Sequence, residues 1–149
     1  MTRTGGCQCG AVRYALAEEP TGSHVCHCRM CQKATGGLFA ALTGIAKDKI
    51  DWTKGAPAFF RSSSLATRGF CQTCGTPLTF AYDKPTSRLY VTIGSLDKPT
   101  TVPIERQFGI ESRLPWVKFC EDVPGERTGE ALPSDMAGFF DGMTNFQQE

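Results

Sequence analysis

The sequence contains no long hydrophobic run. Its longest stretch of consecutive apolar residues covers positions 38–42, five residues, whereas an α-helix needs about 20 to cross a bilayer. Residues 1–5 also lack the apolar core of an export signal. We therefore expect a protein that has no membrane partner and that resides in the cytoplasm.

Neither sign of charge is in excess. Sixteen lysines and arginines stand against fifteen aspartates and glutamates, which gives a formal charge of +1 at pH 7. No segment concentrates basic residues into a stripe, and no acidic tail is present. Because this electrostatic signature of nucleic-acid binding is missing, we predict that the protein has no nucleic-acid partner.

The sequence also has no internal repeat, no low-complexity tract and no linker long enough to divide it. Its 149 residues have the length of one ordinary domain. We predict a single domain over residues 1–149, with a motif-bearing body at 5–119 and a C-terminal extension at 120–149.

Short strands are the predicted secondary structure. Turn residues recur along the chain, and β-branched or aromatic residues alternate with a period of two between them, most clearly at residues 12–16, 78–82 and 89–93. No long amphipathic helix is visible before residue 130, although one helical turn is expected around Lys33 and another within residues 46–52. The sequence therefore indicates a mainly β domain built from small sheets.

Cysteine, by contrast, is abundant. A chain with eight cysteines in a reducing cytoplasm is expected to use them for metal binding or redox chemistry rather than for disulfides. Seven fall into three clusters, whereas Cys120 stands alone and is expected to be a small buried hydrophobe rather than a ligand. The clusters are Cys7 and Cys9, then Cys26, Cys28 and Cys31, then Cys71 and Cys74.

The first and last clusters each resemble half of a zinc site. Two thiolates that lie two or three residues apart can reach one tetrahedral ion, so a pair supplies two of four ligands. Cys71 and Cys74 are followed by Gly75, as in a zinc knuckle whose glycine permits the tight turn. Cys7 and Cys9 would converge from one face of an extended segment, since residues i and i+2 of a strand point the same way.

Joining these two pairs leaves the central cluster, Cys26, Cys28 and Cys31. Three protein ligands and one open position are typical of a catalytic zinc. Spacing alone also permits another partition, in which the first two cysteines of the central cluster complete the zinc knuckle. A further alternative is that His24 or His27 completes the central cluster as a closed structural site.

Three motifs carry a resemblance to a known family. They are GCQCGAVRY at residues 6–14, CHCRMCQKATGG at 26–37 and RGFCQTCGTPL at 68–78, followed by VTIGSLD at 91–97 and ESRLPW at 111–116. In order and spacing the chain resembles the glutathione-dependent formaldehyde-activating enzyme family, also called aldehyde-activating proteins, which includes centromere protein V. The likeness extends over residues 5–119.

The resemblance implies an Mss-four-like fold, made of several small coiled antiparallel β-sheets with short helical turns. It also implies two zinc ions per chain. Carried over motif by motif, the structural zinc would be held by Cys7, Cys9, Cys71 and Cys74. The catalytic zinc would be held by Cys26, Cys28 and Cys31. The family likeness thus favours the open-site partition that spacing leaves undecided.

The activity implied by the resemblance is that of a carbon-sulfur lyase. A thiol, which the resemblance implies is glutathione, would add to formaldehyde or another small aldehyde and give an S-hydroxyalkyl adduct. Glutathione and the aldehyde would be the partners, and the oligomeric state stays open. A zinc-thiolate centre would present the thiol as a nucleophile, since coordination deprotonates it.

Further residues are candidates for binding the substrates. The hydroxyl of Thr35 and the amides around Gly36 and Gly37 could donate hydrogen bonds to the aldehyde. Lys33 could hold a glutathione carboxylate, and Trp116 could line the thiol pocket. For each of these residues, a structural role in a turn, the surface or the core is the alternative.

Other classes of function are compatible with the same residues. The protein could bind or carry a thiol without accelerating any reaction, or it could be a structural zinc module for protein contacts. A disulfide scaffold is the least compatible class, because C-x-C pairs in a reducing compartment suit metal better than bridges.

Overall fold

Short strands dominate the chain, and the prediction of a mainly β fold is confirmed. The structure, a computed structural model, describes residues 2–84, 87–118, 124, 127, 134–138 and 141. Its strands are β1 Arg3–Gly6, β2 Arg13–Leu16, β3 Thr21–Cys26, β4 Ala40–Ala46, β5 Ile50–Lys54, β6 Ala58–Ser63, β7 Ala66–Phe70, β8 Pro77–Tyr82, β9 Arg88–Thr92 and β10 Arg106–Phe108.

Two sheets contain these strands. The small sheet has the order β1-β2-β5, and the large one has the order β10-β3-β4-β9-β8-β7-β6. Neighbours pair antiparallel, except that β10 runs parallel to β3. The family likeness does not predict this parallel pair. It is possible because the long segment between β9 and β10 lets the chain return in the direction of β3.

The main core joins residues of both sheets. Tyr14 and Leu16 of β2 are fully buried and cluster with Leu78 of β8 and Val91 of β9. These are the positions that the period-two patterns place on one face. The Tyr14 hydroxyl bonds to Ser95 Oγ at 2.8 Å, so the buried phenol keeps a polar partner.

The one α-helix among the described residues is α1, Arg29–Thr35, which confirms the helical turn expected around Lys33. The second expected turn is shorter than predicted, because a 3₁₀-helix covers only Lys47–Lys49. Strand β5 begins at Ile50, where it pairs with β2, so the helical turn ends there. None of the helices in the described part of the chain is long and apolar enough to cross a membrane.

The chain divides into two compact units. The first contains Met1–Leu114 and with it all the strands of the described residues, and the second is Pro115–Asn145. The second unit includes a 3₁₀-helix at Ser134–Met136. Cys120 and most of the predicted C-terminal extension lie outside the described residues, so the expectations for them stay predictions.

Candidate metal centres and the adjoining cavity

Four cysteines from two turns meet between the sheets. Cys7 and Cys9 follow β1 of the small sheet, and Cys71 and Cys74 lie between β7 and β8 of the large sheet. The expectation of an extended segment at the first pair is wrong. The chain turns there, with the Gly10 amide donating to the Cys7 carbonyl at 3.1 Å. A turn brings the two thiols together as effectively as a strand would.

The geometry of this four-cysteine group suits a tetrahedral ion. All four sulfurs lie within 4.8 Å of one another, with 3.6 Å between Cys7 and Cys9 and 3.8 Å between Cys9 and Cys71. A tetrahedral zinc with metal–sulfur bonds of ~2.3 Å separates its sulfurs by about 3.8 Å. The seven described cysteines are all free thiols. The donor set and its spacing therefore fit zinc.

The knuckle turn has the conformation that its sequence predicts. Gly75 has φ of +81°, which a glycine adopts without steric cost, and its amide donates to the Cys71 carbonyl at 2.8 Å. Burial raises the pKa of Cys74, but hydrogen bonds with Thr76 outweigh that effect and hold the pKa at about 6. The turn therefore favours the thiolate form, which is the form that binds a metal.

The central cluster forms a second group. Cys26 ends β3, Cys28 is the N-cap of α1, and Cys31 lies in the first turn of that helix, with the three sulfurs within 4.8 Å of one another. The Cys28 sulfur accepts a hydrogen bond from the Cys31 amide at 3.3 Å, as a serine would at this position. The helix start therefore sets the spacing of two of the three thiols.

Neither histidine completes this three-cysteine group. His24 Nδ1 donates to the Gly22 carbonyl at 2.9 Å, and His27 Nε2 bonds to Gln107 Oε1 at 2.8 Å. Among the described residues, no fourth Cys, His, Asp or Glu belongs to the group. The group could hold a metal ion through three thiolates, with a position left for a further ligand.

Arg68 is a site residue that sequence analysis missed. Its side chain is buried on β7, and its Nη2 donates to the Cys31 sulfur at 3.3 Å. Nε donates to Ser62 Oγ at 2.7 Å, and the guanidinium lies over the Phe80 ring, 4.7 Å from its centre. Arg68 stands in the third motif, but 37 positions separate it from Cys31, so no local pattern indicates the contact.

The surroundings of Cys31 favour its thiolate. Hydrogen bonding with Cys26, and then with Arg68, holds the pKa of Cys31 at about 5, against the opposing effect of burial. Among the described ion pairs none gives Arg68 a carboxylate partner. A buried cation without an opposite charge is costly, so the arginine and the sulfur anion stabilise each other.

A cavity of about 530 Å³ opens directly onto this group. All three cysteines of the group and Arg68 line it. The rest of its wall is mainly apolar, and its aromatic residues are His24, Phe80, Tyr82, Tyr90 and Phe108. The three thiols therefore face a space of the size that small-molecule sites commonly have.

Gly109 lets the chain pass close to Cys28 at the start of α1. It has φ of +63°, and a Cβ at this position would lie 2.8 Å from the Cys28 amide nitrogen. Any other residue would press on the helix start that carries Cys28. No local pattern in the sequence indicates this role, because the contact joins segments far apart in the chain.

The other predicted binding residues lie elsewhere. The Thr35 hydroxyl donates to the Cys31 carbonyl at 2.8 Å and accepts from the Gly37 amide, so it supports the end of α1. Lys33 and Gly36 are exposed, and neither is among the described residues that line the cavity. Trp116 is exposed and belongs to the second unit. Their roles in substrate binding stay predictions.

Comparison with known proteins agrees with the fold and the motifs. A family model described as glutathione-dependent formaldehyde-activating enzyme matches residues 2–110. An uncharacterised lyase of Schizosaccharomyces pombe is 38% identical over 79 residues, 52% of this chain and 56% of that protein. The chain thus spans about half the length of this curated relative.

A solved structure shares the fold. It is the crystal structure of a Rhodobacter sphaeroides protein, which superposes with a TM-score of 0.56 at 20% identity and covers 70% of this chain and 98% of its own. The family model matches well over half of the chain and includes both cysteine groups. The chain therefore belongs to the glutathione-dependent formaldehyde-activating enzyme family.

Proposed function

We propose that the protein is a carbon-sulfur lyase that joins glutathione, or another small thiol, to an aldehyde. The observation that carries this proposal is the three-cysteine group, which faces a cavity of about 530 Å³ and has Arg68 at its side. Membership of the family and likeness to a relative named as a lyase support it. The reducing cytoplasm, where free thiols and glutathione coexist, is the compartment that suits it.

We further propose zinc at both cysteine groups. Thiolate sets with this spacing suit zinc, and the four-cysteine group would be a closed structural site. Zinc bound by Cys26, Cys28 and Cys31 would lower the pKa of an incoming thiol and present it as a thiolate. The Arg68 guanidinium would offset the negative charge that three cysteine thiolates bring to a divalent ion.

The reaction itself needs no oxidant or reductant. The sulfur of the thiolate donates an electron pair to the carbonyl carbon and forms the S–C bond. The π pair of the carbonyl moves to oxygen, which takes up the proton that the thiol gave away. The product is a hemithioacetal, and the reverse reaction cleaves the same carbon–sulfur bond.

Arg68 is the proposed hydrogen-bond donor for the aldehyde oxygen. Its Nε and Nη2 are engaged by Ser62 and Cys31, whereas Nη1 makes no hydrogen bond within the described part of the chain. The guanidinium lines the cavity beside the thiols. A fixed donor at the place where negative charge develops on oxygen lowers the barrier to addition.

The function is tested by exchange NMR with labelled formaldehyde, glutathione and their adduct. The zinc-loaded protein, at catalytic concentration, is expected to accelerate exchange above the spontaneous rate, and chelator-stripped protein is expected not to. The stripped sample serves as the control, since formaldehyde and glutathione combine without any protein. Suppose that protein with two zinc ions per chain does not accelerate exchange with formaldehyde or with any other aldehyde. The functions that remain are then those of a thiol carrier or a structural module.

Replacing Arg68 with methionine is expected to weaken metal binding at the three-cysteine group by about 10- to 100-fold, because the residue supports a ligand from outside the metal's own shell. With that group saturated by zinc, exchange is expected to remain slower by on the order of 100-fold, since an oxyanion donor is lost. Chelator competition measures the first effect, and exchange NMR measures the second.

Arg61→Met is the matched control for this variant. Arg61 lies on the neighbouring strand β6, is exposed, and pairs with Asp83 at 2.7 Å rather than with a thiol. We expect it to bind both metals and to catalyse exchange like the wild type. Equal behaviour of the two variants would contradict the role given to Arg68.

A further inference from the structure

We propose that the cavity beside the three-cysteine group selects aldehydes that carry an aromatic or similarly large apolar substituent. This inference rests on the proposed function and specifies its substrate class. Formaldehyde has two non-hydrogen atoms and needs on the order of 60 Å³, taking a water molecule's share of about 30 Å³ as the guide. The cavity holds about 530 Å³, so a molecule of that size makes few contacts with its walls.

The aromatic wall of the cavity is continuous. Phe80 packs edge-to-face against Tyr82, with 4.9 Å between ring centres, and lies 6.2 Å from Tyr90. The His24 ring stands between Tyr90 and Phe108, at 5.4 and 4.9 Å from them. An aromatic substituent in the cavity would find both faces and edges of rings to pack against, which is the arrangement such rings prefer.

The rim of the cavity is also apolar. Four large side chains that the fold leaves well exposed, Met30, Leu65, Tyr82 and Phe108, all lie along this one cavity. Met30 comes from α1, Leu65 from the turn between β6 and β7, and Phe108 from β10. Apolar side chains gathered from separate elements around a concave site indicate the binding of an apolar ligand.

The small number of charged side chains in the lining also favours an apolar substituent. Arg68 is the one Lys, Arg, Asp or Glu side chain among the described lining residues, and Cys31 and Ser62 already engage it. Only its Nη1 stays free, for the aldehyde oxygen, so the carboxylates of glutathione would have to compete for that one donor and its ammonium group would find no opposite charge among the described lining residues. An aldehyde with an uncharged substituent fits this lining. Its carbonyl would lie at the Arg68 end of the cavity, and its apolar part would lie along the aromatic wall.

Phenylacetaldehyde and acetaldehyde form a matched pair of probes, since they differ only by a phenyl ring. Exchange NMR with glutathione and the zinc-loaded protein gives the acceleration of each above its own spontaneous rate. We expect the acceleration for phenylacetaldehyde to exceed that for acetaldehyde, and that for formaldehyde, by at least about tenfold, because a filled apolar pocket discriminates by this order. Equal acceleration, or a preference for formaldehyde, would overturn the inference and leave the proposed function intact. No acceleration with any of the three aldehydes would overturn both.

A binding measurement provides a second readout. Saturation-transfer NMR on the zinc-loaded protein without glutathione is expected to show contact with the ring protons of phenylacetaldehyde. Leu65→Ala and Phe108→Ala should each reduce both this signal and the preference for phenylacetaldehyde over acetaldehyde by about three- to tenfold. A normal signal and preference in both variants would overturn the proposed location of the ring.

Phe59→Ala is the control for these variants. Phe59 is an equally exposed aromatic residue on β6, and it is absent from the described lining of the cavity. Its loss is expected to change neither the ring signal nor the preference. A loss as large as that of the cavity variants would mean that the effect comes from general surface hydrophobicity.

Discussion

Cys71→Ser is expected to leave the chain unfolded or aggregated. The four-cysteine group joins a turn of the small sheet to a turn of the large sheet, and the Cys71 side chain is buried in the core that the two sheets share. A structural zinc contributes on the order of 10 kcal/mol of apparent binding free energy in small peptides. That is comparable to the whole stability of an ordinary domain, about 5–15 kcal/mol.

Circular dichroism and zinc content of the purified variant measure this effect. Because Cys71 is buried, serine also places a hydroxyl in the core, and that alone costs stability. Cys74→Ser separates the two causes, since Cys74 is only half-buried but belongs to the same group. We expect both variants to lose the folded signal. A folded Cys74→Ser chain beside an unfolded Cys71→Ser chain would attribute the loss to packing rather than to metal.

Cys28→Ser is expected to remain folded but to lose catalysis. A serine at the N-cap of α1 can still accept the hydrogen bond of the Cys31 amide, so the start of the helix is preserved. The three-cysteine group then has two thiolates, too few to hold zinc tightly. We expect one zinc ion per chain instead of two, and exchange between thiol and aldehyde at the spontaneous rate.

Metal analysis, circular dichroism and exchange NMR on the same sample check this expectation. Cys120→Ser is the matched control, because it removes the one cysteine that lies outside the three clusters. It is expected to keep two zinc ions and full activity. If Cys28→Ser loses its folded signal as completely as Cys71→Ser, the division into a structural and a catalytic group is wrong.

Local sequence patterns predicted the elements that depend on neighbours along the chain. The period-two pattern at residues 12–16 predicted a strand, and Tyr14 and Leu16 are buried on one face of β2. The zinc-knuckle motif predicted the turn at Gly75, since positive φ at a glycine is a property of the residue itself. The C-x-C motif did not specify the backbone conformation at residues 7–9, because a strand and a turn can both bring two such thiols together.

Such local patterns did not predict contacts between segments that are far apart in the chain. Spacing left open which cysteine pairs share an ion, and the resemblance to a family supplied a preference. The structure brings Cys9 to Cys71, 62 positions away, through the packing of one sheet on the other. The contact of Arg68 with Cys31 has the same origin, since α1 and β7 approach each other only in the folded chain.

The sequence by itself thus determined the strands at its period-two segments, the short helix around Lys33 and the thiols that each turn can offer, because these follow from backbone preferences over a few residues. Tertiary structure decided what spacing left open, namely the grouping of the thiols that the family resemblance favoured, the position of Arg68 and the aromatic wall of the cavity. That wall is assembled from β8, β9 and β10, with Phe108 brought alongside His24 by the parallel pairing of β10 with β3. Its chemistry is a property of neighbouring strands in space, which no spacing along the chain specifies.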